Sequence, residues 1–328
     1  MNKFKMAVSA LAIVAVTGTA NAAEILIKFS HVVAENTPKG IMANKFAELI
    51  EQRLAGKVKV QVFPNGQLFS DQKVLEAMLL GDVQLAAPSL SKFGKYTSVL
   101  QVYDLPFLFK DIDAVGRFQA GPEGQAMLKS LESKGLLGLG YMHNGLKQLS
   151  ANNALLKPSD AKGNKFRIMS SNVLVAQFES VGAVPLKKPY AEVFTLLQTR
   201  AIDGQENTWS NIYSKKFFEV QDHITNSNHG LLDYMVVTSS EFWESLPDDI
   251  RPVVKTALDE AILIGNDVAR DKAQSDMQKI IDSGRTTVHT LTDEQRAMWV
   301  EAMKPVWAEF ADEIGQDIID AAVASNIE

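Results

Sequence analysis

The sequence contains no cysteine. Disulfides are therefore excluded, and so is a lipid anchor carried on an N-terminal cysteine. A chain of this length must hold itself together by burying apolar surface, and it is long enough to build one or two sizeable cores. Long apolar runs are also missing beyond the first two dozen residues. Every later apolar stretch is broken within a few positions by a charge or a glycine, so none has the ~20 residues that a membrane span needs. There is no excess of positive charge: the net charge is −6, which argues against nucleic acid or an anionic membrane surface as the partner.

The signatures of catalysis are lacking as well. No Gly-x-Ser-x-Gly elbow and no phosphate-binding Gly-Lys-Ser/Thr loop occurs. Gly138-Leu139-Gly140 begins like a dinucleotide fingerprint, but His143 stands where the third glycine belongs. The five histidines, His31, His143, His223, His229 and His289, form no pair at metal-binding helical spacing. His223 and His229 flank a polar stretch and are expected to be solvated or capping residues. The carboxylates are scattered, so no catalytic pair stands out. These absences point to a chain that is not an enzyme and needs neither metal nor cofactor.

What is present begins with an export signal. Lys3 and Lys5 precede an apolar run from Met6 to Val16, and Ala20-Asn21-Ala22 has the form of a cleavage site. A mature chain starting at Ala23 is expected, outside the cytoplasmic membrane, with residues 1–22 removed. Losing Lys3 and Lys5 takes the net charge from −6 to −8.

Downstream, strands and helices alternate. Glu24–Ser30 alternates like a strand. Thr37-Pro38 opens a helix that Gly56 closes, and Lys57–Phe63 is a second strand ending at Pro64-Asn65-Gly66. Ser70 is placed to cap a helix running to Gly81, and Val83–Ala87 is a third strand. The same alternation returns with strands at Leu136–Met142, Lys165–Met169 and Ala201–Glu206, and helices at Asn172–Val181 and Pro189–Arg200. Such a series implies a largely parallel sheet covered by helices, in two α/β lobes. Asp248–Ser283 has helical spacing throughout. It is either one helix running along both lobes or two helices broken near Gly265.

Among the polar residues Arg167 is the most informative. It stands on an otherwise apolar strand, where a buried charge needs a partner. That partner is either an internal carboxylate or a ligand carboxylate, which the guanidinium can grip with two hydrogen bonds. Taken singly, Lys147 suggests a surface lysine and Asn207 a turn residue. Glu206 and Asp203 suggest structural acids, because they would repel an anion.

Several segments carry a resemblance when they are taken together and in order. They are Ile27-Lys28-Phe29-Ser30-His31-Val32-Val33, Phe63-Pro64-Asn65-Gly66-Gln67-Leu68, Asp104-Leu105-Pro106-Phe107-Leu108-Phe109, His143-Asn144-Gly145-Leu146-Lys147-Gln148-Leu149-Ser150, Gly163-Asn164-Lys165-Phe166-Arg167, Pro189-Tyr190-Ala191-Glu192-Val193-Phe194, Ala201-Ile202-Asp203-Gly204-Gln205-Glu206-Asn207 and Asn228-His229-Gly230. Over nearly the whole mature chain the sequence resembles the solute-binding proteins of TRAP transporters, the tripartite ATP-independent periplasmic carriers, and among them the dicarboxylate-binding DctP type.

The resemblance implies an α/β two-lobed periplasmic binding protein, with a long helix spanning both lobes and a cleft that closes on its ligand. It implies lobes at residues 23–144 with about 233–270, and 145–232 with about 271–328. It further implies a periplasmic, monomeric receptor that delivers a small carboxylate, a four-carbon dicarboxylate such as succinate, malate or fumarate, to TRAP membrane subunits. Another organic acid is the alternative ligand: a monocarboxylate, a keto acid or a sugar acid. An exported enzyme acting on an organic acid is the alternative class. By the same resemblance Arg167 grips a ligand carboxylate, with Lys147 helping to neutralise it. Asn207 supports that group and Tyr190 packs against it. Lys147 falls where sialic-acid binders carry arginine. Ser89 falls where they carry glutamate, which counts against a polyhydroxylated ligand. His31, Lys39, Lys92 and Tyr234 are candidates for the far end of the ligand.

Overall fold

The computed structural model describes residues 24–327. The proposed export segment and its cleavage site lie outside the described residues. Nine strands form one sheet: β1 (Ile25–Ser30), β2 (Val58–Phe63), β3 (Leu85–Ala86), β4 (Leu136–Ala151), β5 (Lys165–Ile168), β6 (Val184–Lys187), β7 (Gly204–Asn207), β8 (His223–Ser239) and β9 (Thr287–Thr290). Their order is β2-β1-β3-β8-β4-β7-β5-β6, with β9 added to β8.

The sheet is mixed rather than largely parallel. Its short strands pair in parallel, β1 with β2 and β3, and β5 with β6 and β7. Between these sets run β4 and β8, 16 and 17 residues long, paired antiparallel along their length. One end of β8 joins β3 at Val237, and the other end of β4 joins β7 from Gln148 to Ala151. Both strands therefore belong to both halves of the molecule. Their ladder shifts register between Gly138 and Gly140, Met142 and Gly145, and Lys147 and Leu149, and such irregularities bend and twist a strand pair.

β8 was not legible as a strand. Its first half, His223-Ile224-Thr225-Asn226-Ser227-Asn228-His229, is polar and suggests a loop, yet Thr225, Ser227 and His229 are buried. Tertiary pairing with β4 satisfies its backbone and overrides the local pattern.

Helices cover the sheet. Thr37 caps the helix Pro38–Leu54 by accepting from the Gly40 amide, and Met42, Phe46, Leu49 and Ile50 face the core. The helix expected to start at Ser70 begins instead at Val74, which leaves Ser70, Asp71 and Gln72 as loop. Arg251–Asp282 is a single helix of 32 residues, about 48 Å long. Gly265 does not break it. A β-carbon there would lie 2.8 Å from Met42 Cβ, so glycine is what lets this helix seat against Pro38–Leu54. Further along, the long helix packs on Trp209–Ser214, on the other half of the sheet. The helices Val306–Ile314 and Gln316–Ala324 return to the first half and bury Phe310, Ile314 and Ile319 in the core that holds Tyr103 and Phe118. No helix among the described residues is long and apolar enough to cross a membrane.

Candidate functional site

Six short parallel strands, β1, β2, β3, β5, β6 and β7, end near the same place. Val32 and Val33 follow β1, Asn65 and Gly66 follow β2, and Ser89 follows β3. On the other side Met169 follows β5, Pro189 and Tyr190 follow β6, and Asn207 closes β7. All of them line one cavity, together with Ser70, Asp71, Gln72, Lys92, Arg167, Ala191, Asn211, Leu232 and Tyr234. Clefts at the carboxyl ends of parallel strands are where open α/β sheets bind ligands. The volume is about 80 Å³. One water needs roughly 10–15 Å³ on this measure, so the space suits several waters or one compact solute.

Two cations face the cavity without a carboxylate partner. Arg167, 2% exposed, makes one hydrogen bond among the described residues, from Nε to the Lys188 carbonyl at 3.0 Å. No carboxylate among those residues lies in ion-pair range of it, which removes the internal salt bridge as its explanation. Burial pulls its pKa down to about 10, against the opposing charges of Glu206 and Asp71. Lys92 Nζ is buried with no hydrogen-bond partner. Burial and then the charge of Arg167 bring its pKa down to about 8. Two desolvated cations that raise each other's energy form a site that an anion would relieve.

Neutral donors complete the wall. Asn207 Oδ1 accepts from the Thr208 amide and from Asn211 Nδ2, so its own Nδ2 is left without a partner. The Tyr190 hydroxyl is likewise buried and unpartnered. Tyr234 pairs by an isolated bridge with Ser89, which brings both to the same wall. Asp71 is the one carboxylate lining the cavity, and its Oδ2 accepts a long hydrogen bond, 3.4 Å, from the Ser89 amide.

Six of the nine residues singled out from the sequence thus line one cavity: Arg167, Asn207, Tyr190, Ser89, Lys92 and Tyr234. Three do not. Lys147 lies behind it, fully buried, in an ion pair with Glu206 at 2.8 Å. His229 also reaches Glu206, from Nε2 at 2.9 Å, so it is neither solvated nor a cap. Burial would push Glu206 up, but Lys147 and His229 outweigh it and bring its pKa down to about 2. Lys39 donates to the Ala87 carbonyl at 2.8 Å and lies 3.6 Å from the Tyr234 ring centroid, on the far side of the wall. His31 is buried beside it. Burial and the charge of Lys39 hold its pKa near 3, so it is neutral.

Sequence reasoning missed Asp71, Gln72, Asn65 and Asn211. Asn65 and Asp71 stood in segments taken for a turn and a helix start. Asn211 could have been found from Asn207, since the two side chains bond four residues apart across a helix start. Gln72 and Asn65 also tie the halves of the molecule together: Gln72 Nε2 donates to Ser170 Oγ at 2.9 Å, and Lys215 Nζ donates to Asn65 Oδ1 at 3.4 Å.

Known proteins resemble this chain in sequence and fold. Residues 29–313 match the family described as bacterial extracellular solute-binding protein, family 7. Over 305 residues, 93% of this chain and 91% of the relative, the sequence is 66% identical to the C4-dicarboxylate-binding periplasmic protein DctP of Shewanella loihica. A TRAP periplasmic solute-binding protein from Shewanella oneidensis, solved with bound succinate, superposes with a TM-score of 0.92 at 64% identity, covering 93% of this chain and 100% of that one. Another from Pseudomonas aeruginosa, solved with bound L-malate, superposes at 0.85 with 45% identity, covering 87% and 99%.

Proposed function

The chain belongs to family 7 of the bacterial extracellular solute-binding proteins, and from that premise we propose that its cavity captures a four-carbon dicarboxylate such as succinate, malate or fumarate. The family consists of binding receptors and not enzymes. The observation that carries the proposal is the pair of unmatched cations, Arg167 and Lys92, facing one enclosed space. Arg167 offers its guanidinium fork to one carboxylate, supported by Asn207 Nδ2 and flanked by Tyr190. Lys92, near Ser89 and Tyr234, meets the other. Charge agrees with a dianion: Arg167, Lys92 and Lys39 are three cations and Asp71 is one anion, which leaves two positive charges around the cavity.

Capture proceeds by closure of two lobes, at residues 23–144 with about 233–270 and 145–232 with about 271–305, where the second lobe is shortened from the expected 328 because the helices Val306–Ile314 and Gln316–Ala324 pack in the core that holds Tyr103 and Phe118. Gln72–Ser170 and Lys215–Asn65 are closing contacts. Closure excludes water and strengthens each ionic hydrogen bond. The closed receptor, exported and cleaved after Ala22, then presents its ligand as a monomer to TRAP-type membrane subunits in the periplasm.

A second reading has one observation in its favour. Asp71 supplies the carboxylate that Ser89 lacks, which suits a ligand carrying a hydroxyl, so hydroxylated acids stay within reach of this cavity. Calorimetric titration decides between ligands: succinate is expected to bind more tightly than butyrate, and equal affinity for both would overturn the dicarboxylate assignment while keeping a carboxylate site.

A further inference from the structure

At the far end of β8 from Tyr234, the strand pairs in parallel with β9, so that His223 lies opposite Thr287 and His289 opposite Thr225. The two imidazoles meet there. His223 Nδ1 faces His289 Nε2 at 2.9 Å, with ring centroids 5.1 Å apart and planes inclined by 34°. Both side chains are half-buried, and neither takes part in the cavity.

Facing ring nitrogens at this distance share a single proton, one donating and the other accepting. With the proton of His223 on Nε2 and that of His289 on Nδ1, both inner nitrogens carry free lone pairs in the space between the rings. Metal–nitrogen bonds of about 2.0–2.1 Å at a tetrahedral angle place two donors roughly 3.3 Å apart, so the rings need to separate by a few tenths of an ångström and turn until both lone pairs meet the ion. Imidazole pairs suit zinc, nickel and copper(II), and not calcium or magnesium. We propose that His223 and His289 form a two-imidazole site for a divalent transition-metal ion of this borderline class, with water filling its remaining positions.

The chemistry balances without loss of a proton. Each neutral ring keeps one hydrogen, and binding requires that His223 carry its hydrogen on Nε2 and His289 carry its own on Nδ1, the two outer nitrogens. No cluster of three or more metal-ligating side chains occurs among the described residues, so the protein contributes these two nitrogens alone. A bound ion would bridge β9, the first strand after the long helix, to β8, which is common to both halves of the sheet.

The test uses the full mature chain without a histidine tag, titrated calorimetrically with zinc, nickel and copper(II) chlorides in a non-chelating buffer. Wild-type protein is expected to bind about one equivalent. His223→Ala and His289→Ala should each weaken binding by at least what losing a metal-supporting partner does, roughly 10–100-fold. Succinate affinity measured on the same samples should not change, which shows that the variants are folded. His289→Gln, on the short strand, repeats the test if an alanine variant does not fold. Absence of binding in the wild type, or undiminished binding in the double variant, overturns the proposal. Copper(II) electron paramagnetic resonance showing two equatorial nitrogens supports it, and a spectrum without nitrogen coupling overturns it.

Discussion

Four cations are buried in and behind the cavity, and they divide into two pairs that burial alone does not distinguish. Lys147 and Lys39 are fully enclosed. Lys147 is neutralised by Glu206, and Lys39, which keeps its charge, is held by a carbonyl and the face of Tyr234. Arg167 is nearly as enclosed and Lys92 is half-buried with its Nζ out of water, but both face open space, Arg167 with one side-chain hydrogen bond and Lys92 Nζ with none. The first pair holds the protein together and the second waits for something from outside. A buried charge is therefore a poor marker of a ligand site until its partners have been counted.

Substitution separates the pairs, and the largest effect is expected at Arg167. Arg167→Ala removes two charge-assisted hydrogen bonds of about 1.5–3 kcal/mol each, so dicarboxylate affinity should fall by roughly a hundredfold or more. Its melting temperature should barely move. Titration calorimetry and melting on one sample check both, and a strongly destabilised variant that still bound ligand would place Arg167 with the structural pair. Lys147→Ala should do the reverse. It strands Glu206 in the interior and should lower unfolding free energy in urea by about 3–5 kcal/mol. Undiminished stability with lost binding would move Lys147 into the site.

The third prediction sharpens the comparison through pH. Lys92 has its pKa near 8 in the empty cavity, so affinity for a dianion should hold below that pH and decline above it, by up to about tenfold per unit. The sign for stability is opposite. Between about 8 and the unfolded value of 10.5 the unfolded chain holds more protons at this position than the folded one, so the contribution of Lys92 to ligand-free stability rises with pH in that window. Lys92→Met should reduce both trends, leaving the share of Lys39, whose pKa burial also brings down to about 8, and a pH profile of affinity unchanged by that variant would exclude Lys92 from the ligand. The smallest effect belongs to the closing contact. Gln72→Ala gives up one neutral hydrogen bond, about 0.5–1.5 kcal/mol, and should weaken binding by no more than roughly tenfold. A much larger loss would mean that Gln72 touches the ligand.

Much of this arrangement could be found in the sequence, but unevenly. Arg167 was conspicuous because a charge on an apolar strand contradicts its surroundings. Thr37, Pro38 and the periodic residues after them fixed the first helix because capping and periodicity are local. Lys147 and Lys39 could not be told apart from Lys92, because their partners Glu206 and Tyr234 lie far away in sequence and only the fold brings them together. Asp71 and Asn65 were hidden for another reason. Turn residues carry the same chemistry whether they punctuate a chain or line a cleft. β8 was missed because its polar first half is buried through pairing with β4, which no window along the chain can see.

The strands β4 and β8 and the helix Arg251–Asp282 all pass from one half of the molecule to the other. A single linker would let the halves swivel and tumble. Three crossings confine them to bending along one line, as hinge plates joined at three knuckles swing in one plane. The open receptor has therefore already surrendered most of the orientational freedom that docking two separate bodies would cost. In the closure proposed above, a solute arriving in the cleft would have only to complete a movement whose direction the backbone has fixed, and a correspondingly larger share of its contact energy would be expressed as affinity.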